Sequence, residues 1–204
     1  MPSRIPRQPV RDDAFGAIEA DAGLSAELAA AVEGARRRAV RDGDRQIDTA
    51  HLLHSLLEND LEARAALGSG PQLARLFGYL VQRSIGYGLR WQGGVEDSGT
   101  LPAALAVEGF SPLASTALRH ACARAAGRRG PPAPDTGRPS YGDTARGVDL
   151  LAALLADPQA RAVEVLGRAG VDPLEVRARI EDGLDEYAGD EYAGDEYVGE
   201  GDAP

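Results

Sequence analysis

This chain contains no lysine; all 22 of its basic residues are arginine. A phosphate loop of the Gly-x-x-x-x-Gly-Lys-Ser/Thr kind needs that lysine, so nucleotide hydrolysis by such a loop is excluded. Cysteine is almost as scarce. The single thiol, Cys122, cannot close an internal disulfide, and it lies in an alanine-rich stretch that reads as a small buried apolar position. His120 is two residues away, which on a helix points it in another direction, so no thiol–imidazole pair is expected. No Gly-x-Ser-x-Gly elbow is present. Aromatic residues make up only 5% of the chain, so a core has to come from Leu, Val and Ala, as in a helix bundle. No apolar run reaches the roughly 18 residues that span a bilayer. Met1–Val10 carries arginine without the apolar segment of a signal peptide, so the expected location is the cytoplasm.

The chain has 204 residues and is 43% apolar, enough for one domain or two closely packed repeats. Its net charge of −10 is concentrated at one end. Residues 181–204 hold ten acidic groups and no basic one, leaving 22 of each sign in residues 1–180. A neutral body lacks the basic footprint of a nucleic-acid-binding domain, so no nucleic-acid partner is expected.

The most informative pattern is a recurrence. Leu52-Leu53-His54-Ser55-Leu56-Leu57-Glu58-Asn59-Asp60 returns as Leu150-Leu151-Ala152-Ala153-Leu154-Leu155-Ala156-Asp157-Pro158. Each copy follows an Ala- and Arg-rich helical stretch, which indicates a duplicated helical unit. The spacing predicts a first helix over Ser25–Arg41, broken by Asp42-Gly43-Asp44, with Arg36, Arg37 and Arg38 suited to its C-terminal end. A second helix starts near Asp48 or Thr49. Two more follow near 61–67 and 71–85. Phe110-Ser111-Pro112 restarts the pattern, with Ser111 as the cap and Pro112 in the first helical position. Further helices are expected near 148–156 and 159–169, and one starting at Asp172, which has capping-box spacing to Glu175. Residues 86–109, with Trp91 as their large anchor, and residues 127–147 read as loops. No segment alternates with period two.

At these residues the chain resembles the Clp amino-terminal repeat domain. The resemblance covers roughly residues 24–182 and rests on Phe110-Ser111-Pro112, Thr49-Ala50-His51-Leu52-Leu53 and Gly170-Val171-Asp172-Pro173. It implies an all-α fold of two tandem four-helix repeats, about eight helices, in a pseudo-twofold relation. Repeat 1 would span about 24–85, a linker 86–109, and repeat 2 about 110–182, after a flexible arm at 1–23. In that family the module docks substrates and adaptors for Clp unfoldases, and some members bind phosphorylated arginine through the glutamate of a Gly-Thr-Glu-His turn. Here the matching positions are Ala50 and, in the second repeat, Val148, with Asp149 in the histidine place. Neither glutamate is present, and Asp143 and Asp149 are the only nearby acidic substitutes.

Residues 183–204 carry three copies of a pentapeptide, Asp-Glu-Tyr-Ala/Val-Gly, beginning at Asp185. A five-residue period fits neither helix nor strand and the charges repel, so a disordered acidic tail is expected. Its tyrosines, Tyr187, Tyr192 and Tyr197, are candidate contacts for a partner, as are Thr49, His51 and Asp149 on the body. His51, His54 and Glu58 share one helical face, but with three histidines and one cysteine in all, the ligand count falls short of a zinc site. The expectation is a non-catalytic protein–protein module without metal or cofactor, binding clients, adaptors or Clp components. The alternatives are a ligand-sensing helical regulator and a metal-assisted hydrolase using His51 and His54.

Overall fold

The computed structural model describes residues 23–68, 70–84, 96, 109–128 and 144–193, the last ten of these by backbone alone. Among the described residues the chain is all-helical. Eight helices follow one another: α1 (Ala26–Asp42), α2 (Thr49–Asn59), α3 (Leu61–Ala66), α4 (Gly70–Ser84), α5 (Pro112–Arg128), α6 (Gly147–Leu154), α7 (Arg161–Ala169) and α8 (Pro173–Ala193). None of them is long and apolar enough to cross a membrane.

Local chemistry explains most of the boundaries. Ser25 accepts the Leu28 amide at 3.2 Å to open α1, and Gly43, at φ 74°, closes it in a left-handed conformation that glycine adopts without steric cost. Asp48 opens α2 by accepting the His51 amide at 2.9 Å, while its own amide donates to His51 Nδ1 at 3.1 Å. This is a capping box with histidine in the place usually held by Glu or Gln. Ser111 accepts the Ala114 amide at 3.1 Å and opens α5, as expected. Asp172 opens α8 through the Leu174 amide at 2.8 Å, but Glu175 does not complete a capping box and pairs with Arg179 instead.

The two leucine blocks become α2 and α6; α2 is buried from Thr49 to Leu57 and α6 along its length. Leu52, Leu53, Leu56 and Leu57 meet Leu150, Leu151 and Leu154 in one continuous core, with Leu28, Val32, Leu118, Val165 and Ile180 around them. The halves α1–α4 and α5–α8 are tied reciprocally. Ile47, just before α2, pairs in parallel with Phe110, just before α5; Leu24, just before α1, pairs with Ala145, just before α6. Each half thus hydrogen-bonds its entry segment to the other half, as a duplicated unit with an approximate twofold relation requires.

Two expectations are corrected. The arginine triplet is a full turn from the end of α1, so the helix dipole does not account for it: Arg36 lies over the Phe110 ring at 5.7 Å and Arg38 pairs with Glu58. The last helix also does not stop at Asp182; its backbone continues to Ala193, through the first pentapeptide and into the second. An existing helix propagates with one hydrogen bond per added residue, so α8 runs on into the repeat although Gly183, Gly189 and the aspartates there are weak helix formers. The arm, Trp91, Asp143, Tyr197 and the rest of the tail lie outside the described residues.

Candidate functional site

The junction between the halves is built around Thr49, the first residue of α2. Its amide donates to Glu96 Oε2 at 2.8 Å, its hydroxyl donates to Glu96 Oε1, and the same oxygen accepts the Ala162 amide at 3.0 Å. Glu96 Oε1 also accepts the Arg161 amide at 2.8 Å, and Oε2 accepts the Ser111 hydroxyl at 2.7 Å. The reason lies in α7. Its N-cap position is Ala160, which has no side chain to offer, so its first amides are satisfied by Glu96 and Thr49 from elsewhere. One buried carboxylate therefore serves the starts of α2, α5 and α7.

Arg161 adds a second tie. Its guanidinium donates to Asp48 Oδ2 at 2.6 Å, so the cap of α2 and the first residue of α7 form a buried ion pair across the halves. The equivalent place in the second half is organised differently. Gly147 stands where Thr49 does, and the Asp60 carboxyl lies against its Cα, leaving no room for a side chain. Asp149, in the place of His51, is wholly buried and gripped by Arg128 through two hydrogen bonds, one of 2.6 Å, while it accepts the Arg146 amide at 2.9 Å. The hydrogen bonds it donates to Asp149 hold the Arg128 guanidinium above its ordinary pKa.

Thr49, His51 and Asp149 are thus buried and committed to the fold, at 1%, 1% and 0% exposure. Of the three, Thr49 alone borders the groove between α5 and the α6–α7 turn. Tyr187 and Tyr192 lie on the backbone of α8, and nothing brings them to the other candidates. His51 and His54 do not converge on one point. His54 Nε2 faces Glu58 at 3.5 Å and its ring packs edge-on to Phe77, whereas His51 Nε2 faces Asp44. Burial first, and then the Arg38 charge, lowers the His54 pKa to about 4, so it is neutral near pH 7. Cys122 is pushed above its ordinary value by burial and by Asp149, the opposite of what an activated thiol needs.

The open feature at this junction is a groove of about 210 Å³ between α5 and the α6–α7 turn. Leu113, Ala117, Ala153, Leu154 and Ala160 form its apolar floor; Thr49, Thr116, His120 and Asp157 supply polar groups at its edge. It is the feature that reading the sequence could not find, because its floor comes from α5 and α6 and its end wall from the cap of α7.

The chain matches no family model, and no curated protein matches it. The likeness to the Clp repeat domain therefore rests on the sequence motifs alone.

The groove is smaller than the roughly 300–1,000 Å³ typical of small-molecule sites. It is somewhat larger than the ~150 Å³ apolar cavity that accepts one benzene. Its size suits one or two apolar side chains of a peptide rather than a cofactor.

Proposed function

We propose that this chain is a non-catalytic protein-binding module of the Clp amino-terminal type, with no motor of its own. It docks a peptide segment of a client, an adaptor or a Clp unfoldase or protease component in the groove between α5 and the α6–α7 turn. The observation that carries this reading is the groove itself, with an apolar floor from Leu113, Ala117 and Leu154 and a polar rim from Thr116, His120 and Asp157. Apolar anchors in a pocket with polar groups around them are the usual anatomy of a protein-recognition site. The family's phosphoarginine chemistry is not part of the proposal, because Ala50 and Val148 offer no carboxylate and Asp149 is already paired with Arg128.

The test uses Thr116, which lies on the rim and only half-buried, so that a tryptophan there blocks the groove without emptying the core. Tagged full-length chain should retain purified Clp unfoldase or protease subunits, and Thr116→Trp should abolish that retention with an unchanged circular dichroism spectrum. Absence of any Clp subunit from the parent chain, or equal retention by the folded variant, rejects the reading.

A further inference from the structure

Between α1 and α2 the chain reads Asp42-Gly43-Asp44-Arg45-Gln46-Ile47-Asp48-Thr49-Ala50-His51. The left-handed turn at Gly43 folds this segment back, with the Asp44 amide donating to Ala39 O at 3.0 Å, so that Asp42 and Asp44 come over the first turn of α2. The His51 ring lies beneath them, 1% exposed. Its Nε2 is 3.2 Å from Asp44 Oδ2 and 3.8 Å from Asp42 Oδ2. Both His51 Nε2 and Asp42 Oδ2 are buried without a hydrogen-bond partner. Arg41 meets the other oxygen of Asp42 at 3.3 Å, and Arg161 is held by Asp48.

Neither tautomer of His51 resolves this. If Nδ1 accepts the Asp48 amide, the proton sits on Nε2, where no acceptor is aligned with it. If Nδ1–H instead donates to Asp48 Oδ1, 2.9 Å away, the Nε2 lone pair faces two carboxylates. A cation at Nε2 satisfies both orphaned atoms and selects the second tautomer, in which Asp48 Oδ1 takes the Nδ1 proton and the Asp48 amide gives up its bond to Nδ1. A metal-bound histidine usually donates its other nitrogen to a carboxylate in that way. Asp44 Oδ2, 3.2 Å from Nε2, has the separation of two donor atoms each about 2.0–2.1 Å from a tetrahedral zinc, about 3.3 Å, while Asp42 Oδ2, at 3.8 Å, has to move inward to bind.

The internal duplication supplies an independent comparison. Asp42 and Arg128 are the last residues of two 17-residue helices, α1 and α5. His51 and Asp149 are the third residues of the helices that follow. In the second half this junction contains its own cation, the Arg128 guanidinium on Asp149. In the first half Arg41 meets Asp42 Oδ1, and Asp42 Oδ2 and Asp44 Oδ2 face the imidazole Nε2.

We propose that Asp42, Asp44 and His51 form a binding site for a divalent transition-metal cation of the zinc class, with Asp48 orienting the histidine. Two carboxylate oxygens and one imidazole suit Zn²⁺ or Co²⁺ better than a soft monovalent ion. The Asp44 side chain, 19% exposed, leaves the remaining coordination positions to solvent. The cation joins the end of α1 to the start of α2 and is independent of the groove.

Chelator-treated full-length protein is titrated with Zn²⁺ by calorimetry and with Co²⁺ by visible absorption. One equivalent should bind with micromolar or tighter affinity, raise the melting temperature, and give Co²⁺ ligand-field bands of low coordination number. Asp44→Asn, at the least buried ligand, should weaken binding at least tenfold while the helical spectrum is kept. The double variant Asp42→Asn with Asp44→Asn should lose the bands. No saturable equivalent in folded parent protein overturns the proposal. So does undiminished binding in folded Asp44→Asn, because that places the metal on the acidic tail or on His54 and Glu58.

Discussion

Glu96 shows how much can depend on one residue in a connection that has no pattern of its own. Its two oxygens serve four donors: the Thr49 amide and hydroxyl, the Ser111 hydroxyl and the Arg161 amide. Each buried donor left without an acceptor costs about 1–3 kcal/mol. Glu96→Ala should therefore lower stability by roughly 3–5 kcal/mol in denaturant titration. Glu96→Gln should be nearly as costly, since its amide nitrogen must face donors whichever way it turns. A loss below about 0.5 kcal/mol, the scale of surface changes, would remove Glu96 from this role. Ala160, the N-cap of α7, has no side chain that can cap, and nothing in the sequence says which residue supplies the acceptor. His54 leads to a different measurement. Its folded pKa, about 4, is below its unfolded value near 6.5, so the unfolded chain binds the extra proton more readily. The stability contributed by neutral His54 is full above about pH 6.5 and is lost as pH falls toward 4, by about 2–3 kcal/mol. Glu62 acts in the opposite sense. Burial raises its pKa above 4.5 despite Arg146, so the native state gains relative stability on acidification through that range. Comparing parent and His54→Gln from pH 7 to pH 4.5 isolates the histidine, and the variant should show the shallower decline.

At the scale of elements, the glycines separate space from propensity. A Cβ on Gly147 would run into the Asp60 carboxyl and come within 2.9 Å of Leu56 Cδ1. Alanine improves helix propensity by about 1 kcal/mol, but overpacking at a rigid contact costs about 1–3 kcal/mol. Gly147→Ala should destabilise. Gly78, within α4, has nothing within 4 Å of where a Cβ would stand, so Gly78→Ala should stabilise by roughly 0.5–1 kcal/mol. If Gly147→Ala raises the melting temperature as Gly78→Ala does, the close approach of Asp60 to α6 is wrong. The elements themselves were legible: both ends of α1 and α7 and the starts of α2 and α5 fall within a residue or two of where caps and leucine spacing put them. Short-range chemistry governs those positions. The groove, the Glu96 tie and the gathering of Asp42 and Asp44 on His51 were not legible, because each depends on residues brought together only after the halves pack. The His51–His54–Glu58 stripe drew attention by spacing, whereas the ligands that reach His51 come from the turn before its helix.

For the whole molecule, the reciprocal pairing of Ile47 with Phe110 and Leu24 with Ala145 makes the halves one cooperative unit. Leu56 and Leu154 lie in the same core from opposite halves, at 0% and 1% exposure. Truncating either to alanine should cost about 2–5 kcal/mol, and in each case the entire chain should melt in one transition at a lower temperature. Two separated transitions would mean that the halves fold independently.

The acidic end is where whole-chain charge and local structure oppose each other. α8 is anchored by Val176 and Ile180, both buried, and its backbone then continues through residues rich in like charges. Deleting residues 185–204 leaves both anchors in place and removes only residues beyond them. The expected change in stability is within the ~0.5 kcal/mol of surface alterations, which for a chain this size is no more than about 2 °C in melting temperature. The helical signal should fall by the contribution of residues 185–193 and no more. Partner retention should persist, because the groove is built from α5, α6 and the start of α7. A drop of 5 °C or more would show that the extension of α8 packs on the body. Loss of the partner with an unchanged melting temperature would move the docking surface from the groove to the acidic repeats, and that binding should then weaken steeply with salt.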